Sequence, residues 1–74
     1  MNITVKLFAT LRNGRDKIMT VQMPEGSTVS DIVTHLVLPR EEVAIIMINS
    51  RGAELSTELH DTDILALFPP VGGG

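Results

Sequence analysis

The sequence has no cysteine, tryptophan or tyrosine, and its only aromatic residues are Phe8 and Phe68. Without thiols there is no disulfide, no thiolate metal site and no cysteine nucleophile, a composition compatible with a reducing compartment. With aromatics at 3 % of 74 residues, the core has to be built from Ile, Leu, Val and Met, which pack densely and bring few polar atoms to satisfy. Long apolar runs are missing too. The longest, Val43 to Ile48, falls far below the roughly 20 residues of a membrane span, and no basic segment leads into a run of signal-peptide type. A soluble cytoplasmic protein without a membrane partner is expected. Basic residues are scarce, six Lys and Arg against nine Asp and Glu, for a formal charge of -3. A nucleic-acid binder needs a basic stripe to displace phosphate counterions, so that class is excluded and a basic protein partner is expected.

What remains is 43 % hydrophobic with a mean hydropathy of +0.23, outside the weakly hydrophobic, highly charged regime of disordered chains. A chain of this length has room for one core, because domains of this size bury only about 60 % of their unfolded surface. Ile3, Val5 and Leu7 alternate with Thr4 and Lys6, the two-residue period of a half-buried strand. Asn13-Gly14 tolerates positive φ and predicts a reversal near Arg12 to Asp16. The return strand puts Met19, Val21 and Met23 on one face and ends at Pro24 and Gly26. From Thr28 the period becomes helical. Val29, Ile32, Val33, Leu36 and Val37 share a side, Thr28 or Ser27 caps the start, Asp31 suits the positive end of the dipole, and about three turns end before Pro39.

Val43 to Ile48 is nearly continuous and β-branched, which predicts a strand covered on both faces. Asn49 to Gly52 reads as a turn, Ala53 to Leu55 as a short edge strand, Asp61-Thr62-Asp63 as a second turn, and Ile64 to Phe68 as the last strand. The expected architecture is α+β: a mixed sheet of four to five strands packed on one helix, with the first and last strands at its centre. That is the β-grasp, or ubiquitin-like, fold. Its domain spans residues 1–68, and residues 69–74 form a flexible Pro/Gly tail.

At that tail, Pro69-Pro70-Val71-Gly72-Gly73-Gly74, the sequence stops behaving like a folded domain. Proline stops strand pairing, and six extended residues reach about 20 Å. Glycine lacks Cβ and lets enzyme groups close on the backbone. A carboxylate is a poor electrophile until an oxygen becomes a leaving group, which adenylation by ATP achieves. The acyl-adenylate then accepts sulfide to give a thiocarboxylate, or an amine to give an isopeptide bond. On glycine content alone, a working carboxylate at Gly74 and an idle frayed end stay equally open.

The ending Leu67-Phe68-Pro69-Pro70-Val71-Gly72-Gly73-Gly74 resembles that of the MoaD family, the small sulfur-carrier subunits of molybdopterin synthase. Val5-Lys6-Leu7-Phe8-Ala9-Thr10-Leu11-Arg12 is similar to that family's first strand, and Gly26 to Asp31 to its helix start. Gly73-Gly74 also resembles the thiamine-pathway carrier family ThiS. The resemblance implies a carrier and not an enzyme. Gly74 would be adenylated by an E1-like enzyme of MoeB/ThiF type and become a thiocarboxylate, with ATP and the sulfur donor used by that partner and no cofactor bound by the chain. Gly72, Gly73 and Gly74 would thread into an acceptor such as the molybdopterin synthase large subunit, while Phe8, Phe68, Pro69, Pro70 and Val71 would dock. Relative to the family, the first hairpin lacks a helical insertion, and Thr62 stands where an Asp-Gly-Asp turn is common.

Other candidates are weaker. His35 lies off the apolar side of the helix and His60 in an acidic loop, so two separated histidines give no metal site. Asp61 and Asp63 suit a turn better than acid catalysis. With Leu65 and Leu67 facing the helix, Ala66 and Phe68 emerge opposite, near Phe8 and beside Ile46 and Ile48, rimmed by Arg12 and Arg51. A contiguous apolar area on so small a domain marks a partner interface. A protein modifier and a non-covalent β-grasp interaction module are the rival classes.

Overall fold

The alternation of Ile3, Val5 and Leu7 is realised in β1 (Asn2–Leu7), whose inward residues are fully buried. It pairs antiparallel with β2 (Ile18–Gln22) and parallel with β5 (Ile64–Phe68). β5 pairs antiparallel with β3 (Ile45–Ile48), which forms a hairpin with β4 (Arg51–Ala53). The order β2-β1-β5-β3-β4 makes one mixed five-stranded sheet with the expected first and last strands near its middle. The helix α1 (Val29–His35) covers one face. This is the β-grasp fold. The structure, a computed structural model, describes residues 1–70. Among them no helix is long and apolar enough to cross a membrane.

The core is aliphatic. Ile3, Val5, Leu7, Leu65 and Leu67 of the central strands meet Val29, Ile32 and Val33 of α1 at zero exposure. Each such side chain contributes about 1.5–3 kcal/mol on burial. Reversal after β1 runs through Gly14, whose φ is 70°, as the Asn13-Gly14 pair predicts. The hairpin is not bare, however. A short 3-10 helix, Ala9–Arg12, precedes the turn and plugs Leu11 into the end of the core at 1 % exposure.

Helix α1 starts where its signals say. Thr28 and Asp31 form a capping box, with Thr28 N–H donating to Asp31 Oδ2 at 2.8 Å. The next two free amides are satisfied from outside the helix: Val29 N–H donates to Thr57 O and Ser30 N–H to Leu55 O. Leu59 N–H also donates to Ser27 O, at 2.8 Å. The segment after β4, too polar to assign by periodicity, is ordered by these bonds and by Leu59, 1 % exposed in the core.

Helix length and strand coverage depart from expectation. The helix has seven residues, about two turns instead of three. It closes with paired bonds, Val37 N–H to Thr34 O and Leu38 N–H to Val33 O, the Schellman arrangement. Val37, at φ 55°, is 80 % exposed, and Leu38 takes the expected core place. β3 is covered on one face only: Ile46 is buried whereas Ile45 is 46 % exposed, because the single helix lies on the other side of the sheet. β4 starts at Arg51, two residues earlier than expected. Asn49 and Ser50 form its two-residue turn, with φ of 51° and 69°, the backbone a type I′ hairpin requires.

The Asp61 to Asp63 turn is a knot of backbone caps. Asp61 Oδ1 accepts from Asn2 N–H, and the two Asp63 oxygens accept from Asn49 Nδ2 and His60 N–H. Thr62 sits there at φ 71°, which explains why glycine suits this place. A β-branched residue in the left-handed region costs about 1–2 kcal/mol. Val37→Gly and Thr62→Gly should therefore each hold or raise the thermal midpoint, Val37→Gly by several degrees, because its side chain packs on little. A clear fall in the midpoint of Val37→Gly, measured by circular dichroism, would show that the position is not strained.

Candidate functional site

β5 hydrogen-bonds on both edges up to its last residue. Phe8 N–H donates to Leu67 O at 3.2 Å and Ala44 N–H to Phe68 O at 2.9 Å. Pro69 then has no N–H to continue either ladder. The chain thus leaves the sheet from its middle. Pleating sends Leu65 and Leu67 into the core and Ile64, Ala66 and Phe68 to the helix-free face.

On that face Phe68 stacks on Phe8, ring centroids 4.3 Å apart and planes 9° from parallel. Beside them lies a shallow depression of about 280 Å³ lined by Phe8, Phe68, Met47, Ile64, Ala66 and Lys6 with Asn49 and Ser50. The apolar surface expected from sequence is present, but two of its members change. Ile46 pairs with Leu67 and Ile48 with Leu65, so both lie on the helix side. Ile45, opposite Phe68, and Met47, opposite Ala66, take their places. Arg51 pairs with Ile48 and therefore does not rim this face. Arg12 does: its Cζ lies over the Phe8 ring at 5.4 Å from the centroid, and its Nε donates to Leu7 O at 2.8 Å. Ile64, 41 % exposed, was legible as the residue two before Ala66.

Of the expected docking residues, the structure brings Phe8 and Phe68 into contact, leaves Pro69 half-buried beside them and exposes Pro70. Val71, Gly72, Gly73 and Gly74 lie outside the described residues. His35 is exposed, and His60 Nδ1 is 3.9 Å from Asp63 Oδ2 with its side chain 78 % exposed. Among the described residues no group of three His, Cys, Asp or Glu could hold a metal ion. The arrangement suits docking: an aromatic pair and an aliphatic floor at the root of an emerging segment. A double-mutant cycle of Phe8→Ala and Phe68→Ala by urea unfolding should give a coupling of about 0.5–1.5 kcal/mol. Strictly additive losses would mean that the rings merely lie side by side.

Comparison with known proteins agrees with this geometry. SAMP1, the small archaeal modifier protein 1 of Haloferax volcanii, superimposes with a TM-score of 0.82 at 29 % identity over the whole of both chains; a second structure of it gives 0.77 at 27 % over 95 % of this chain and 98 % of that one. A putative molybdopterin converting factor subunit 1 from Pyrococcus furiosus gives 0.74 at 29 % identity, over 95 % of this chain and 98 % of that one. In a complex of subunits 1 and 2 of the molybdopterin-converting factor from Helicobacter pylori, the match is 0.69 at 22 % over both full chains, a likeness of fold. No curated protein sequence matches the chain. A model of the ThiS family matches residues 5–74. The chain belongs to the ThiS family, ubiquitin-like carriers of the MoaD/ThiS type that are not themselves enzymes.

Proposed function

We propose that this chain carries sulfur on the carboxylate of Gly74. The observation that supports the reading best is the extent of the family match, which includes the glycine ending through residue 74. The domain adds a root for that ending, since β5 leaves the sheet from between its two neighbours. In the first step a Gly74 carboxylate oxygen attacks the α-phosphorus of ATP and pyrophosphate leaves. Sulfide then attacks the acyl carbon, AMP departs with the electron pair of the broken C–O bond, and a thiocarboxylate remains. An E1-like enzyme of MoeB/ThiF type supplies the ATP site and the catalysis. Phe8, Phe68, Pro69, Pro70 and Val71 then dock on the acceptor enzyme, and Gly72, Gly73 and Gly74 thread into its active site.

The acceptor is read as the large subunit of a molybdopterin synthase. The Phe68-Pro69-Pro70 ending supports this, as does the likeness to the Pyrococcus furiosus molybdopterin converting factor subunit. The Helicobacter pylori relative is itself seen in complex with its subunit 2. A thiamine-type acceptor is the nearest alternative. One observation favours a second reading, attachment to other proteins: the likeness to a small archaeal modifier over the full chain length.

Incubation with an E1-like enzyme from the same cell, ATP and sulfide should replace one oxygen by sulfur at Gly74, read by intact mass. Deleting Gly73 and Gly74 should abolish the exchange and leave the unfolding midpoint unchanged. An unaltered mass with an active enzyme would overturn the carrier reading. Isopeptide-linked adducts on lysines of other proteins would establish the modifier reading instead.

A further inference from the structure

The formal charge of -3 hides a strong division. Residues 1–23 carry Lys6, Arg12, Arg15 and Lys17 against Asp16 alone, a formal +3, whereas residues 24–74 hold Arg40 and Arg51 against eight carboxylates, a formal -6. The basic part is β1 and the turn that follows it, beside the exit of β5 on one edge; on the other edge the chain enters β3 from Glu41 and Glu42, and Ala44 N–H donates to Phe68 O. The acidic part surrounds α1 and the segment from β4 to β5. Among the described residues, the only charged side chain lining the depression beside Phe68 is Lys6. Over a Debye length of roughly 8–10 Å it is the local charge that a docking partner meets, and the net value matters little.

Arg12 is the built element of this surface. Its Nε–H is used inward on Leu7 O and its guanidinium lies over Phe8, which in turn stacks on Phe68. These contacts fix the group while leaving the two Nη groups without a hydrogen-bond partner among the described residues. Arg15 differs. It spends Nη1 on Leu11 O and Asn13 O within its own loop. A pre-positioned guanidinium with a free edge takes a carboxylate in two parallel hydrogen bonds.

Resting on the carrier reading, we propose that the surface of the E1-like enzyme that takes this face is apolar at its centre and acidic beside Arg12, and that Arg12 receives a carboxylate of that enzyme beside the Phe8–Phe68 stack. This partner is acidic at Arg12, where the overall composition suggested a basic one. The aromatic pair and Met47 supply contact area, and Arg12 sets orientation and excludes partners with a cation at that place.

The test is ATP–pyrophosphate exchange by the E1-like enzyme with this chain as substrate, at low and high salt. Arg12→Gln should raise the KM for the chain about ten- to a hundredfold at unchanged kcat, the range for a lost charge-assisted hydrogen bond. Arg12→Lys should recover part of the loss, and Arg51→Gln, the same charge change on the opposite face, should stay within twofold. Salt should raise the KM of the wild type more than that of Arg12→Gln. A KM for Arg12→Gln equal to that of the wild type, in a chain that is still adenylated, overturns the inference alone. A wild type that is never adenylated overturns the carrier reading and this inference with it. Tighter binding by Arg12→Gln would show that Arg12 holds a group of its own chain, and would overturn it as well.

Discussion

The double-edged pairing of β5 is the constraint on which the rest depends. Its five residues bond to β1 on one side and β3 on the other, so the alternation of its side chains is fixed for both faces at once. A slip of one residue would put Phe68 into the core and expose Leu67. Because Leu65 and Leu67 are at zero exposure against α1, that slip is forbidden by the aliphatic core. The same packing that holds the fold together therefore delivers Phe68 to the open face, against Phe8, and places Pro69 where pairing ends.

Much of this was legible in the sequence because it rests on short-range chemistry. The two-residue period of β1, the Thr28 and Asp31 cap, the turn chemistry of Asn13-Gly14 and the bounds of β5 all follow from residues within a few positions of one another. Misreadings arose where a distant partner decides. Val43 to Ile48 has the composition of a strand buried on two sides, yet one helix covers one side, and the run cannot report how many helices there are. The choice between Ile45 and Ile46 for the open face depends on register against Phe68 and Leu67. Val37 keeps helical spacing with Val29, Ile32 and Val33, but the Schellman closure turns it outward and turns Leu38 in. The segment around Leu55 to Leu59 shows no period because its order comes from capping another element's N–H groups.

The candidate site divides in the same way. The glycine and proline ending announces itself by composition and carries the family likeness. The contact between Phe8 and Phe68 and the seat of Arg12 are products of strand order, which brings the end of β1 beside the end of β5. Charge illustrates the point further. A total of -3 says little about a molecule in which four of six cations gather in the first hairpin and eight of nine carboxylates lie after it.

The parallel pairing of β1 with β5 ties Thr4 to Ile64, and Leu7 to Leu67. Contacts so remote along the chain carry a loop-closure cost that the packing of the core must offset. The centre of the sheet stays open until the strand next to the glycine ending has docked. A chain in which these strands are not paired lacks the Phe8–Phe68 platform, so the platform belongs to the complete domain and to no part of it.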